Sequence, residues 1–181
     1  MDEKRISVLD KQFVPFISED RIQQEVSRIA DEMNRDLAGK DPLFLGILNG
    51  AFMFASDLYK QLEFPSQITF LKLTSYSGTK STGSVKQLIG INLDLKDRVV
   101  VVVEDIVDTG ITLETILRQL KGYEPSEIHV ATFLHKPEAT VREVQLDYVG
   151  LEIPNDFILG YGLDYDGYGR NYRRLYKLAD S

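Results

Sequence analysis

The stretch RVVVVVEDIVDTGIT, Arg98 to Thr112, decides the fold. Five consecutive valines leave no polar residue to alternate with, so the run reads as a strand buried on both faces. Glu104 and Asp105 follow directly, then Asp108, Thr109 and Gly110. Next comes ITLETILRQLKG, amphipathic through Leu113, Ile116, Leu117 and Leu120, which closes on Gly122. The local order is therefore strand, acidic loop, helix.

A loop of this kind offers the unpaired N–H groups and partial positive charge of a helix N-terminus. Gly110 lets the backbone approach a ligand closely, and Thr109 and Thr112 add hydroxyls, a combination suited to a monophosphate. The loop is neither a Walker A sequence, since no Lys follows the glycine, nor a G-x-G-x-x-G. Glu104 and Asp105 cannot favour a phosphate by charge. Carboxylates do accept hydrogen bonds from paired ribose hydroxyls, and they favour positive charge that develops on a sugar. One acid at a strand end would merely mark the limit of burial, with Asp108 as a helix cap. Three acids, a Thr-Gly and a second threonine within nine residues read as a cradle for a ribose 5-phosphate.

Outward from this stretch, Ser18 to Leu37 predicts a helix: Ile22, Val26, Ile29, Met33 and Leu37 recur at helical spacing. Ser18 suits the N-cap, Glu19 and Asp20 the first turn, and Gly39 the stop. PLFLGILN (42–49), QITFLKLTSY (67–76) and EIHVATFLH (127–135) read as strands, and DYVGLEI and FILGYGL as short ones. AFMFASDLYKQL after Gly50 reads as a helix. Strands without alternation, separated by helices, predict an α/β fold with a mainly parallel central sheet flanked by helices. In open α/β sheets ligands bind outside the carboxyl ends of the strands. That rule puts Asn49-Gly50, Glu104 to Thr112 and His135-Lys136 on one rim. From about Asp147 the chain is rich in glycine and tyrosine and lacks a helical period. It predicts a small irregular hood over 147–181, joined by residues 1–15, on a core of about 16–146 within a single domain.

The 181 residues contain no cysteine, which excludes disulfides and thiolate metal sites. The formal net charge of -7 opposes a nucleic-acid backbone. The dense basic cluster RNYRRLYK, Arg170 to Lys177, reads as a local anion site or a solvated edge. No apolar run reaches the ~18–20 residues of a membrane span. The N-terminal segment MDEKRISVLD lacks the apolar region of a secretory signal. The expected location is the cytoplasm.

The stretch VVVVVEDIVDTGIT resembles the phosphoribosyl-diphosphate signature of the type I phosphoribosyltransferases. LGILNGAFMFASDL, LKLTSYSGTKSTG, LHKPEA and VGLEIPNDFILGYGLDYDGYGRNYR, in that order, resemble the hypoxanthine-guanine branch, over roughly residues 5 to 178. The resemblance implies transfer of phosphoribosyl from its diphosphate to a 6-oxopurine with Mg²⁺, in a homodimer or homotetramer, without nucleic acid or membrane. Within it, Glu104 and Asp105 bind the ribose hydroxyls, Asp108 is the base near purine N7, and Asp108, Thr109, Gly110, Ile111 and Thr112 hold the 5-phosphate.

Leu48, Asn49 and Gly50 correspond to the pyrophosphate loop, where relatives carry Lys or Arg in place of Asn49. A neutral amide leaves less positive charge there, so the backbone N–H groups of Gly50 and Ala51 are the expected donors. Arg170 matches the pyrophosphate arginine, a role suited to a planar fork. Lys136 matches the lysine on purine O6, and an ammonium that only donates disfavours the amino group of adenine. Phe157 matches the ring that stacks on the base, and Ile158 the residue whose backbone reads its edge. Asp164 belongs to the purine side and, with Glu104, to the metal. Ser75 and Tyr76 correspond to the base of a lid, in a polar stretch (75–86) that otherwise reads as a mobile hairpin tip. The rivals are a phosphoribosyltransferase for xanthine or a pyrimidine, an RNA-binding nucleotide sensor, and a phospho-acceptor receiver domain.

Overall fold

The computed structural model describes residues 5–76 and 85–179, without the side chains of 74–76 and 85–88. In chain order the strands are β1 (Ile6–Val8), β2 (Lys11–Ile17), β3 (Leu43–Leu48), β4 (Gln67–Tyr76), β5 (Val85–Ile89), β6 (Val99–Val107), β7 (Glu127–His135), β8 (Tyr148–Glu152), β9 (Ile158–Leu159) and β10 (Leu175–Leu178). The helices are α1 (Glu19–Asp36) after β2, α2 (Phe52–Tyr59) after β3 and α3 (Ile111–Lys121) after β6.

Two sheets result. The larger has the order β5-β4-β3-β6-β7-β8. Its strands β4, β3, β6, β7 and β8 are parallel, and only β5 runs antiparallel, against β4. This is the α/β architecture expected from the sequence. The smaller sheet, β1-β2-β10-β9, is antiparallel throughout and joins the two ends of the chain.

The valine run sits at the centre of the large sheet. Val99, Val101 and Val103 pack with α1 and α2 on one face, and Val100 and Val102 with α3 on the other. At roughly 1.5 kcal/mol for each buried valine, the run supplies several kcal/mol, enough to fix the strand and whatever follows it. α1 forms as its pattern predicts. Ile22, Val26, Ile29 and Met33 are buried, and the Ser18 hydroxyl accepts the Arg21 N–H at 3.2 Å.

Three expectations are corrected. β6 does not end at the acids but runs on to Val107, because Glu104, Ile106 and Val107 still pair with Thr132, Leu134 and His135 of β7. The main sheet does not end near 146: Tyr148–Glu152 pairs with β7, so the hood begins after Glu152. FILGYGL contributes only the two residues of β9, since the backbone turns at Gly160.

The strand order also locates a binding cleft. β3 is followed in the chain by β4 on one side and, later, by β6 on the other. The carboxyl ends of β3 and β6 are therefore a topological switch point, where the connecting loops part and leave a crevice.

Candidate active site

Two loops meet at that crevice. After β3 come Leu48, Asn49 and Gly50, with a cis peptide between Leu48 and Asn49, and then α2. After Val103 come Glu104 to Gly110 and α3. A cleft of about 260 Å³ is lined by Glu104, Asp105, Asp108, Thr109, Gly110 and Thr112 among others. The expected ribose-phosphate residues therefore surround one space.

The acids differ in environment. Glu104 is only 7% exposed, and Asp105 beside it is partly buried. Burial first, and then the charge of Asp105, push the Glu104 carboxyl well above the ordinary glutamate range. Burial also raises Asp105, while the N–H of Ile106, donated to Oδ1 at 2.8 Å, and the nearby Arg170 charge work against that rise. Two neighbouring carboxylates held out of water favour hydroxyl donors or a hard cation. Among the described residues no group of three or more His, Cys, Asp or Glu converges as a metal site. An Mg²⁺ ion usually takes only one or two carboxylates and completes its shell with water and substrate oxygens, so this donor set fits one.

Asp108 is set apart. Its carboxylate is half exposed and lies 3.6 Å from the Lys136 ammonium. Lys136 follows β7, and its own N–H donates to the Val107 carbonyl at 2.9 Å. The lysine is not a solvated strand-end charge: it is 7% exposed. Burying a lysine is costly unless a partner offsets it, and Asp108 is that partner.

The loop expected to hold the 5-phosphate joins the strand end to the helix start through a left-handed glycine. Gly110 caps α3 in the left-handed region at φ 81°, and a Cβ there would overlap the Arg142 carbonyl. The N–H groups of Val141 and Arg142 both donate to the Thr109 carbonyl, at 3.0 and 2.9 Å, and so brace the loop from outside. The helical ladder opens with Glu114 N–H on the Gly110 carbonyl at 2.9 Å, and the amides of Thr112 and Leu113 precede it. Ile111 N–H reaches the Thr109 hydroxyl at 3.4 Å. The Ala51 amide, expected as a pyrophosphate donor, is instead used on the Ile47 carbonyl at 3.2 Å. That leaves the Gly50 amide and the exposed Asn49 side chain for that role.

The hood closes over this loop. A Cβ on Gly50 would overlap the Asp105 carboxylate, and one on Gly162 would overlap the Gly50 carbonyl. Strand β6, the loop after β3 and the hood thus stack on one glycine. Arg170 donates to the Gly162 carbonyl at 2.7 Å and pairs with Asp164 at 2.8 Å. Asp164 also accepts the Gly167 N–H at 2.7 Å. Two residues expected in separate roles, metal and pyrophosphate, are therefore partners here. Phe157 is 44% exposed, backed by Phe13 at 6.2 Å and met edge-on by Tyr165 at 5.8 Å, while Ile158 is buried. Ser75 and Tyr76 end β4, pairing with Lys86 and Val85, and residues 77–84 of the expected lid lie outside those described.

Sequence reading missed three contributors. Thr132, fully buried opposite Glu104, donates its hydroxyl to the Leu134 carbonyl at 2.8 Å. Gly162 carries the contact with Gly50, and its place in the Gly-Tyr-Gly triplet was the available signal. Asp57 on α2 receives the hydroxyl of Tyr161 at 2.9 Å. A lone acid on a short apolar helix was the only hint of that pair.

Comparison with known proteins gives a consistent result. A phosphoribosyl transferase domain matches residues 18–166. Over 161 residues the chain is 38% identical to the hypoxanthine-guanine phosphoribosyltransferase of Streptococcus pneumoniae, with 88% of each chain covered. It is 40% identical to that of Mycobacterium avium over 167 residues, covering 88% of this chain and 81% of the relative. A crystal structure of a Staphylococcus aureus hypoxanthine phosphoribosyltransferase superposes with a TM-score of 0.84 at 34% identity, covering 91% and 90% of the two chains. A Bacillus anthracis hypoxanthine-guanine phosphoribosyltransferase with HEPES in its active site superposes equally well, at a TM-score of 0.84 and 31% identity, over 91% of this chain and 98% of that one.

Proposed function

The chain belongs to the phosphoribosyltransferase family, and from that premise we propose how its cleft joins the two substrates. The protein is a purine salvage enzyme that transfers 5-phosphoribosyl from 5-phosphoribosyl 1-diphosphate to hypoxanthine or guanine, giving IMP or GMP and pyrophosphate. The bond from ribose C1 to the diphosphate oxygen breaks, the bond from C1 to purine N9 forms, and the purine loses one proton.

The observation that carries the assignment of residues is the pair Lys136–Asp108, 3.6 Å apart at the ends of β7 and β6. Lys136 only donates, and a carboxylate only accepts. O6 and N7 lie side by side on the edge of a 6-oxopurine. Lys136 meets O6, and Asp108 takes or holds the N7 proton. Adenine would turn an amino group toward the ammonium and lose this contact. Phe157 stacks on the base, and the backbone at Ile158 reads its far edge.

In this reading Glu104 and Asp105 accept the ribose hydroxyls, and their negative charge favours the positive charge that develops at C1. The loop from Asp108 to Thr112 holds the 5-phosphate at the start of α3. Gly50, Asn49 and Arg170 hold the pyrophosphate. For Arg170 this requires exchanging its Asp164 partner for the substrate, which frees Asp164. Asp164 and Glu104 would then hold Mg²⁺, which when bound supplies positive charge to the diphosphate oxygens. Ser75 and Tyr76 form the base of a lid that keeps water from the reacting carbon. The same reading includes assembly as a homodimer or homotetramer in the cytoplasm, with no nucleic acid or membrane partner. No helix among the described residues is long and apolar enough to cross a membrane.

The test is a panel of hypoxanthine, guanine, xanthine, adenine and uracil, each with the diphosphate and Mg²⁺, with and without chelator. Hypoxanthine and guanine should be consumed and chelator should stop the reaction. Preferential use of adenine or uracil, or activity indifferent to chelator, would contradict the assignment.

A further inference from the structure

The hood and the core share a partly buried polar contact that no step above uses. Tyr161 lies between Gly160 and Gly162 in the hood, is 2% exposed, and adopts a left-handed backbone at φ 44°. Its ring packs against Phe133 of β7 at 5.1 Å, and its hydroxyl donates to Asp57 Oδ2 at 2.9 Å. That oxygen also accepts Gln23 Nε2 of α1 at 3.0 Å, while Oδ1 accepts the Lys60 ammonium at 2.8 Å. Asp57 therefore gathers groups from α1, α2 and the hood. Burial would raise its carboxyl, but the bonds from Lys60, Gln23 and Tyr161 outweigh it and hold Asp57 below the ordinary aspartate range. Burial, and then the Asp57 charge, keep the Tyr161 phenol protonated and donating far above neutral pH.

The position of this contact gives it a consequence. Asp57 sits on α2, the helix that begins just after Gly50. Tyr161 sits one residue before Gly162, whose backbone abuts the Gly50 carbonyl and whose own carbonyl receives Arg170. The hood is thus pinned along the same short helix at two places, by backbone contact at Gly50 just before its start and by a partly buried hydrogen bond about two turns on. A two-point attachment fixes rotation as well as distance.

We propose that Asp57 and Tyr161 are positioning residues: their hydrogen bond sets the hood's Gly162–Arg170 segment against the Asn49–Gly50 loop, and so sets the spacing of the groups that grip the diphosphate. Neither residue lines the cleft between Glu104 and Thr112. The inference rests on the functional reading above. A displacement of about 1 Å at a site where reactants are held for transfer costs up to about 10²-fold in rate. Loss of one hydrogen bond to a charged group is worth roughly tenfold in an equilibrium.

The experiment compares the full-length wild type with Tyr161→Phe, which keeps the buried ring, and with Asp57→Asn and the double variant. KM for phosphoribosyl diphosphate, KM for hypoxanthine, kcat and Tm are measured for each. Tyr161→Phe should raise KM for the diphosphate roughly tenfold, leave KM for hypoxanthine within about twofold, and be no further impaired by adding Asp57→Asn. A uniform loss of kcat that tracks Tm, with both KM values unchanged, would show a merely structural contact and overturn the proposal. So would full additivity of the two substitutions. Wild-type activity in the same assay reports on the functional reading independently, so failure of one is not mistaken for failure of the other.

Discussion

Glu104 to Thr112 and Phe157 to Arg170 both carry residues proposed for the site, but they are assembled in different ways. The first is nine consecutive residues on a strand, a turn and a helix start, held by the most hydrophobic run in the chain. The second hangs on a small sheet that needs both chain ends, with β10 pairing to β2 across the length of the sequence. The strand-end segment therefore inherits its geometry from the core beneath it. The hood inherits its geometry from contacts, among them Gly162 on Gly50, Tyr161 on Asp57 and the burial of Ile158 and Leu175 in the main core. The region proposed to hold the ribose phosphate is fixed with the fold, and the region proposed to choose the base and grip the diphosphate is fixed by docking.

The comparison can be broken most severely where the two regions touch. Gly50→Ala would drive a methyl into the Asp105 carboxylate and part the hood from the core. We expect kcat/KM to fall by about 10²-fold or more, since the reacting groups move by on the order of 1 Å. Steady-state kinetics alongside a melting curve would check this. Wild-type kinetics in a folded Gly50→Ala protein would mean that the two regions do not communicate through this glycine.

A smaller effect separates the regions by substrate. Lys136→Gln removes the ammonium proposed to meet O6 but leaves the loop from Thr109 to Thr112 alone. KM for hypoxanthine should rise about tenfold, the worth of a hydrogen bond to a charged group, with KM for the diphosphate nearly unchanged. An equal rise in both would place Lys136 in the framework of the cleft instead of on the base.

The smallest effect concerns the strand-end acids alone. The raised Glu104 and Asp105 carboxyls mean that the folded protein binds protons more tightly than the unfolded chain. Stability from this source is full below the ordinary carboxylate range and is lost as pH rises through the raised value. Glu104→Gln should therefore raise Tm at neutral pH by about 2–4 °C for each kcal/mol relieved, and flatten the decline of Tm with rising pH, while losing activity. A variant with lower Tm at neutral pH would show that the charge pair is already compensated.

Much of this was legible in the sequence because its determinants are local. The valine run, the periodicity of α1 and α3 and the punctuation at Ser18 and Gly110 each fall within one element, and each forms where expected. The same holds for the gathering of Glu104 to Gly110 and Thr112 around one cleft, which Ile111 does not line. What escaped depends on partners distant in the chain. β6 passes through its acids to Val107 because β7 keeps pairing with it. Tyr148–Glu152 looks like the start of the hood, yet β7 recruits it to the main sheet. Leu175–Leu178, which overlaps the end of a basic cluster read as an anion site or solvated edge, is a strand because β2 and β9 flank it. Lys136 is buried because Asp108 accompanies it, and one sequence does not reveal such a pairing.

The central claim is that the three acids of EDIVDTGIT divide their work, with Glu104 and Asp105 on the ribose and Asp108 on the proton of the base. The most direct test is kcat for Asp108→Asn measured together with its affinity for phosphoribosyl diphosphate. The account predicts a fall in kcat of about 10²-fold or more, the usual scale for losing a general base, with diphosphate affinity within about threefold of wild type. Turnover close to wild type, or a loss confined to diphosphate affinity, would contradict it.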